Sequence, residues 1–287
     1  MKKLNDFTFN LLNYAAFQLE QKKYYKAFTR GFLFLYKFFI FKLKSTIGIV
    51  KNIDQNSHEH KNLDEIFMHF KTNKGSKFKS KDSDEIIKGH FYTPFYEKIF
   101  QEQINSNLKI LEIGVHQGDS LAALKSFLKN SLIIGVDKNP YASKYNSKSI
   151  KLLYCDTRSL KNLRNISSHV GNDLDIIIDD GSHVPYQQII TFLELFKNLK
   201  DGGYYIIEEL NMFEAESDFL NKGEKFSLKN FLNAVESKNY TEIKNYIKTE
   251  TELENIVKKI DYVKINQGDL EINGVNISDF AVIKKIT

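Results

Sequence analysis

Five short apolar segments alternate with longer segments of helical pattern between residues 108 and 209. The apolar segments lie near 108–113, 131–136, 150–154, 174–179 and 203–208, and the helical ones near 119–129, 157–168 and 186–198. Strands that alternate with helices of about ten residues predict βαβ units with right-handed crossovers and a parallel sheet. Two later strands, near 260–265 and 279–285, are expected to close one edge, one of them antiparallel. The chain should therefore be an α/β protein with a mostly parallel seven-stranded sheet and helices on both faces.

The segments outside this alternation predict the domain organisation. Residues 1–50 read as a basic, aromatic-rich helical arm, and the polar, aperiodic residues 51–62 as a linker. The main domain is expected over residues 63–287. Its predicted parts are an N-terminal cap at 63–107, a core at 108–209, further helices at 210–259 and closing strands at 260–287. Helices are expected near 63–70, 97–103, 225–237 and 242–259.

The arm carries most of the positive charge. Residues 1–50 hold nine Lys or Arg and two acids, so they contribute +7, and the rest of the chain −2, to a formal net charge of +5. Their most apolar run, residues 31–41, is too short to span a bilayer, which needs about 20 residues. Three alternatives stay open for the arm: packing on the body or on a second subunit, membrane-surface contact through residues 22–44, and a remnant of a larger fusion.

The composition limits the binding partners and the cellular compartment that we expect. The single cysteine, Cys155, excludes an intrachain disulfide framework and fits a reducing cytosol. The nearly neutral body gives no sign of nucleic-acid binding. We expect a cytoplasmic homo-oligomer, located at the inner face of the membrane if residues 22–44 bind there. The abundance of Lys, Asn and Ile indicates an AT-rich bacterial genome.

A glycine turn follows the first strand of the core. Gly114 permits the tight turn, Gly118 lets the backbone approach a ligand closely, and Ser120 lies where the next helix starts. The spacing is G-x-x-x-G, and no Lys-Ser/Thr follows it, so the turn is neither a dinucleotide fingerprint nor a P-loop.

Three acids stand at the ends of successive strands. Glu112 ends the first, Asp137 the second, and Asp156 follows the third. An acid about twenty residues beyond a glycine turn can accept hydrogen bonds from ribose hydroxyls, and Asp156 could meet an adenine amino group. Capping of the following helices is the alternative for each acid alone. Together the three predict a cofactor that contains adenosine.

The fourth and fifth strands end in groups suited to metal binding and proton transfer. Asp179, Asp180 and His183 follow the fourth strand, and Glu208 and Glu209 end the fifth. Carboxylates select hard cations such as Mg2+. Because neighbouring strands lie about 5 Å apart, Asp180, Glu208 and Glu209 could converge on one ion. The alternative is that Asp180 or His183 caps the next helix and that Glu209 is a surface residue.

These motifs resemble a known family. The segment from Glu112 to Gly118, with Asp137 ending the next strand, is similar to class I S-adenosylmethionine-dependent methyltransferases. More narrowly, four segments resemble metal-dependent sugar O-methyltransferases of the macrocin and mycinamicin type and their relatives in polysaccharide biosynthesis: residues 72–76, 90–94, 178–183 and 202–209. The similarity covers roughly residues 65–287, and the arm lies outside it.

The resemblance implies roles for the strand-end residues. It implies a Rossmann-like fold, with S-adenosylmethionine and Mg2+ as cofactors and the core at 108–209 holding both. Asp180, Glu208 and Glu209 would be the metal ligands and His183 the general base, with Asp179 on the cofactor side. The family usually has Glu-Asp where this chain has Glu208-Glu209.

The acceptor is expected to be a sugar hydroxyl of a glycoconjugate or polysaccharide precursor, such as a bacterial capsule. The cluster of His90, Tyr92, Thr93 and Tyr96 either contacts substrate beside the cofactor site or covers the sheet edge, and the helices at 210–259 would lie on the substrate side. Two alternatives remain open: methylation of a nitrogen or a phosphorylated small molecule, and a membrane-associated assembly component with a vestigial fold.

Overall fold

A computed structural model describes residues 5–21, 24–55, 62–80, 83, 85–212, 227–243, 250–272 and 274–287. The chain divides into two compact units, residues 1–169 (unit 1) and residues 170–287 (unit 2). Residues 56–61 of the predicted linker, residues 225–226 of the helix predicted near 225–237 and residues 244–249 of the helix predicted near 242–259 lie outside the described residues.

Unit 1 contains the arm, the cap and the first strands of the core. Its helices are α1 (Asp6–Glu20), α2 (Tyr24–Thr46), α3 (Leu63–His69), α4 (Thr93–Phe100), α5 (Asp119–Phe127) and α6 (Leu160–Val170), the last ending at the unit boundary. Its strands are β1 (Lys51–Asn52), β2 (Lys77–Lys79), β3 (Ile86–Lys88), β4 (Lys109–Ile113), β5 (Leu132–Asp137), β6 (Tyr145–Asn146) and β7 (Ile150–Tyr154).

Strands β4, β5 and β7 form a parallel ladder with β5 in the middle. Ile110, Leu111, Ile133 and Ile134 are successive residues on these strands, and all four are buried. Burial of consecutive residues means that both faces of the ladder are covered, which is typical of parallel sheets and explains the continuous apolar runs in the sequence.

The outer edge of β7 is covered by α1, through two asparagines. Asn10 receives the Tyr154 N–H at 2.6 Å and donates to the Leu152 carbonyl at 2.8 Å, while Asn13 donates to the Tyr154 carbonyl at 2.7 Å. These side-chain amides bond to backbone groups that another strand would otherwise pair with. The N-terminal helix of the arm therefore packs directly on the strands of unit 1.

Unit 2 contains the remaining strands and helices. Its helices are α7 (Pro185–Leu195), α8 (Leu228–Glu236), α9 (Tyr240–Ile243) and α10 (Glu250–Val257). Its strands are β8 (Leu174–Asp179), β9 (Leu199–Ile207), β10 (Ile260–Asn266), β11 (Glu271–Ile272), β12 (Val275–Asn276) and β13 (Phe280–Lys285). Strand β8 is parallel to β9, whereas β13 is antiparallel to both β9 and β10.

Seven of the described strands form a mixed sheet. Among the pairings described for this sheet, only the two that β13 makes, with β9 and β10, are antiparallel. The predicted fold class, α/β with a mostly parallel seven-stranded sheet, is confirmed. No described helix is long and apolar enough to cross a membrane.

Several local predictions were wrong. Residues 51–55, predicted as part of a linker, form β1 and a 3-10 turn, and β1 pairs with β6. Helix α4 begins at Thr93 instead of residue 97. Pro94 lies in its first turn, where backbone N–H groups have no partner within the helix, so proline is favoured there. Helix α6 begins later than predicted, because the Ser159 hydroxyl accepts the N–H of Asn162 at 3.2 Å and caps it. The hairpin β2–β3 was not predicted.

Candidate functional site

Three side chains of unit 2 converge beyond the ends of β8 and β9. Candidate ligand atoms of Asp180, His183 and Glu209 all lie within 4.8 Å of one another. His183 Nε2 is 3.8 Å from Asp180 Oδ1 and 3.6 Å from Glu209 Oε2, and both separations are too long for hydrogen bonds. Two carboxylates and an imidazole in this arrangement can bind a divalent cation, or can bind and deprotonate a hydroxyl.

Two of these residues have strained backbone conformations. His183 has a φ of 53° and Glu209 a φ of 55°, in the left-handed region that side chains with a Cβ rarely adopt. Such conformations concentrate at functional sites because the surrounding structure must enforce them. In the described part of the chain, His183 Nδ1 is buried and has no hydrogen-bond partner. An unsatisfied buried nitrogen is typical of a group poised for a ligand or water.

Asp179 lies just before the cluster and is almost fully buried. Burial raises its pKa to about 7; the charge of His183 opposes the rise, as do hydrogen bonds from the Gly181 amide and the Tyr205 hydroxyl. The Tyr205 hydroxyl lies 3.4 Å from Asp179 Oδ2. Asp179 is therefore held within the protein, next to the cluster in sequence but outside its three members.

Glu208 is placed differently from Glu209. It is buried, and it is not a member of the cluster that Asp180, His183 and Glu209 form. Its N–H donates to the Asp179 carbonyl at 3.0 Å, continuing the β8–β9 ladder by one residue. The sequence had predicted both as ligands.

In unit 1 the predicted cofactor turn leads from β4 into α5. Gly114 (φ 94°) and Gly118 (φ 82°) both adopt left-handed backbone. A Cβ at Gly118 would lie 2.3 Å from the Ser143 hydroxyl oxygen, so glycine is required here by packing as well as by φ. Within the described residues, Ser120 Oγ and Gln117 Oε1 are buried without hydrogen-bond partners. The turn thus offers polar atoms to a ligand.

Asp137 holds this turn in place. Its Oδ2 accepts the N–H groups of Val115 and His116 at 3.0 and 3.1 Å, and its Oδ1 accepts that of Asn139 at 2.7 Å. A carboxylate has about four acceptor positions, so three are used by backbone and one remains for a ribose hydroxyl. The residue predicted to bind ribose also shapes the turn.

Glu112 is completely buried at the end of β4, next to a buried lysine. Lys74 Nζ lies 3.6 Å from Glu112 Oε1, and both side chains are at most 2% exposed. Buried charges persist when they are paired. Lys74 belongs to the segment 72–76 that was singled out by resemblance, but its partner could not be read from the sequence.

Asp156 is engaged by a neighbouring arginine. Arg158 donates from Nε to Oδ1 at 2.8 Å and from Nη2 to Oδ2 at 2.6 Å, a bidentate pair. The Arg158 N–H also donates to Oδ1. An adenine amino group would share an already occupied carboxylate, a competition that the sequence did not reveal.

The predicted substrate residues lie inside unit 1. Tyr92, Thr93 and Tyr96 are buried, and Tyr96 stacks on Phe100. The Thr93 hydroxyl donates to Asp64 Oδ1 at 2.6 Å. In this structure the three side chains pack within unit 1, and their contact with substrate stays a prediction.

The same aspartate also accepts two bonds from a serine. The Ser76 N–H and hydroxyl donate to the two Asp64 oxygens at 2.7 and 2.5 Å. His90 is buried as well, with Nε2 at 2.9 Å from Asn73 Nδ2. Segments 72–76 and 90–94, which are distant in sequence, thus form one polar network with α3.

Comparison with known proteins gives a family match and a set of relatives. The model of the FtsJ-like methyltransferases matches residues 96–253, more than half of the chain. The mycinamicin VI 2''-O-methyltransferase of Micromonospora griseorubida is 34% identical over 128 residues, which cover 42% of this chain and 32% of the relative. The demethylmacrocin O-methyltransferase of Streptomyces fradiae gives the same identity and coverage.

A third relative is the 8-demethyl-8-alpha-L-rhamnosyl tetracenomycin-C 2'-O-methyltransferase of Streptomyces olivaceus, 31% identical over 128 residues, covering 42% of this chain and 33% of the relative. The match with these curated relatives spans about a third of their length. Among solved structures, MycE methyltransferase from the mycinamycin biosynthetic pathway, in complex with Mg, SAH and mycinamycin VI, superposes with a TM-score of 0.56. That likeness covers 79% of this chain and 55% of MycE at 22% identity, and it shows a shared fold.

Proposed function

This chain belongs to the FtsJ-like methyltransferase family, and from that premise we propose that it is a cation-assisted O-methyltransferase. It would transfer the methyl group of S-adenosylmethionine to a sugar hydroxyl. The observation that carries the proposal is the convergence of Asp180, His183 and Glu209 within 4.8 Å. Methylation of a hydroxyl requires removal of a proton, and this cluster contains the groups for that step.

Asp180 and Glu209 are the residues that would hold Mg2+ or another divalent cation. The fit rests on their chemistry, since two carboxylates are the hard oxygen donors that such ions prefer. When bound, a divalent cation lowers the pKa of a coordinated hydroxyl. The predicted ligand Glu208 is left out of this proposal, because it lies outside the cluster.

His183 is proposed as the general base. A neutral imidazole near working pH can accept a proton through a nitrogen that bears a free lone pair. Its Nε2 is the nitrogen that faces both carboxylates. The same atom cannot ligate a cation and accept a proton at once, so the roles of base and ligand are experimentally separable.

The glycine turn of unit 1 is proposed to bind S-adenosylmethionine. The buried, unpartnered Ser120 Oγ supports this among the described residues, as does the remaining acceptor position on Asp137. Glu112 and Gly114 would shape the same site. Asp156 would contact the adenine amino group only if Arg158 releases its carboxylate, or if the carboxylate accepts hydrogen bonds from both groups.

The acceptor is proposed to be a sugar in a glycoconjugate or polysaccharide precursor, such as one used for a bacterial capsule. Support comes from the relatives, whose names specify O-methylation of mycinamicin VI and of a rhamnosyl tetracenomycin. His90, Tyr92, Thr93 and Tyr96 remain the candidates for acceptor contacts near the cap. A homo-oligomeric state and a cytoplasmic location stay predictions.

The test is thermal unfolding followed by methyl transfer. After removal of metal with a chelator, the wild-type chain should be stabilised by S-adenosylhomocysteine; ligand at about 100 times its dissociation constant contributes about 2.7 kcal/mol. Labelled S-adenosylmethionine is then supplied with nucleotide sugars, lipid-linked oligosaccharides and amine acceptors, with and without Mg2+. Transfer to a sugar that is lost on chelation supports the proposal. Metal-independent transfer to an amine, or no binding of the cofactor product, contradicts it.

A further inference from the structure

Helix α2 presents an exposed apolar face. Phe32, Tyr36, Phe39 and Leu43 are 60, 61, 61 and 55% exposed. Their spacings of four, three and four residues place them along one side of the helix. We call these four residues the α2 stripe. Single exposed apolar residues are ordinary, but a continuous row of large ones marks an interaction surface.

The other side of α2 is already used for packing. Phe34 and Phe41 are 5 and 8% exposed, and Phe34 lies in a cluster with Phe17 of α1 and Tyr154 of β7. The orientation of α2 is therefore fixed by its buried side, so the stripe is directed away from the core of unit 1. A helix with two apolar sides needs a second apolar environment for the outer one.

Lysines border the stripe on both sides. Lys44 lies along one border and Lys42 along the other, and both are exposed. Lys37 lies further round the helix and donates to Asn139 Oδ1 at 3.1 Å. The sequence contains no acid between Glu20 and Asp54. An apolar row with basic borders is the pattern of a helix that lies in the plane of a membrane surface, with its side chains in the acyl boundary and its lysines among the headgroups.

We propose that the α2 stripe docks on a membrane surface that contains anionic lipids. Charge decides against the other obvious occupant, a second copy of the same face. Each copy would bring Lys42 and Lys44 to a shared interface, with no acid between Glu20 and Asp54 to oppose them, and like charges across an interface are unfavourable. An anionic bilayer complements both the apolar row and its basic borders.

Vesicle flotation tests the docking without cofactor, metal or acceptor, so its outcome is independent of the proposed catalysis. The full chain is mixed with vesicles of phosphatidylcholine alone, or of phosphatidylcholine with about one third phosphatidylglycerol. We expect binding to the anionic vesicles that weakens as salt is raised. The double variant Phe32→Ser/Phe39→Ser should bind at least about tenfold more weakly, since two exposed aromatic side chains no longer enter the bilayer. Lys44→Ala should weaken binding about fivefold.

The matched control is Ile86→Ser/Ile87→Ser. These residues are 63 and 40% exposed in β3, so the pair removes a comparable apolar surface elsewhere in unit 1. It should bind vesicles as the wild type does. Circular dichroism and melting temperature verify that each variant is folded, which is expected because all four positions are exposed.

Three results overturn the proposal. One is absence of wild-type binding to anionic vesicles, and another is equal loss of binding in the stripe variant and the control. The third is a wild-type dimer, seen by light scattering, that Phe32→Ser/Phe39→Ser converts to a monomer while neither form binds vesicles; the stripe would then belong to a second copy.

Discussion

Replacement of Asn13 by alanine tests whether the arm is part of the fold of unit 1. The Asn13 side chain is 1% exposed. It donates to the Tyr154 carbonyl at 2.7 Å and accepts from the side-chain amides of Asn162 and Asn165 at 3.1 and 2.8 Å. Alanine removes these three bonds and leaves the Tyr154 carbonyl buried beneath α1 without its partner.

The size of the effect follows from these contacts. Each lost bond contributes about 1 kcal/mol, and an orphaned buried group costs about 1–3 kcal/mol more. The Asn162 amide retains its bond to the Asn13 backbone carbonyl at 3.0 Å, which limits the loss. We expect a destabilisation of about 3 kcal/mol, or a melting temperature lower by about 6–12 °C.

Calorimetry of Asn13→Ala and of a control, Asn130→Ala, measures this. Asn130 also donates a side-chain bond to a backbone carbonyl, that of Asn105 at 3.2 Å, but it is exposed. The control should change stability by less than about 0.5 kcal/mol. Equal melting temperatures for the two variants would refute the conclusion that α1 stabilises the edge of β7.

Further outcomes concern the site and the cap. His183→Gln should lower kcat by about 10²- to 10⁴-fold with Mg2+ affinity, measured by calorimetry, nearly unchanged; a large loss of affinity would identify His183 as a ligand instead. Asp180→Asn and Glu209→Gln should each weaken Mg2+ binding by more than about tenfold, whereas Glu208→Gln should not, and the reverse order would contradict the cluster. Burial would raise the pKa of Asp64, but hydrogen bonds from neighbouring hydroxyl and amide groups outweigh it and lower the pKa below 3.8. A lowered pKa stabilises the fold above pH 3.8 and ceases to do so as the pH falls through the folded-state value. Asp64→Asn should lower the free energy of unfolding by about 1–3 kcal/mol at neutral pH. Urea titrations should show that this difference from the wild type shrinks below about pH 4. A difference that does not change with pH would contradict a lowered pKa of Asp64.

The strands of the core could be predicted because burial on both faces leaves continuous apolar runs in the sequence. The hairpin of β2 and β3 leaves no such signal, since most of its residues are exposed and half of them are lysines. It was equally impossible to predict from the sequence that Asn10 and Asn13 cover the edge of β7. Asparagine in a helix predicts little by itself, and its partners on β7 lie more than 140 residues away.

The cluster of Asp180, His183 and Glu209 could be expected from the sequence to the extent that it depends on where the strands end. Asp180 and His183 follow β8, Glu209 follows β9, and parallel pairing brings these ends together. The choice between Glu208 and Glu209 depends on how the backbone leaves β9, and the left-handed conformation of Glu209 sets that direction. The bidentate use of Asp156 by Arg158 depends on a side-chain conformation, which no spacing rule encodes.

The left-handed conformations of His183 and Glu209 have a consequence for engineering. The backbone at position 209 favours glycine, because a Cβ there costs roughly 1–2 kcal/mol. Glu209→Gly should therefore yield a metal-free protein that melts higher than the wild type, and one that no longer gains stability when Mg2+ is added. Sequence optimisation guided by stability alone would select that glycine and discard the carboxylate. At this position, stability and the proposed activity would be opposing design goals.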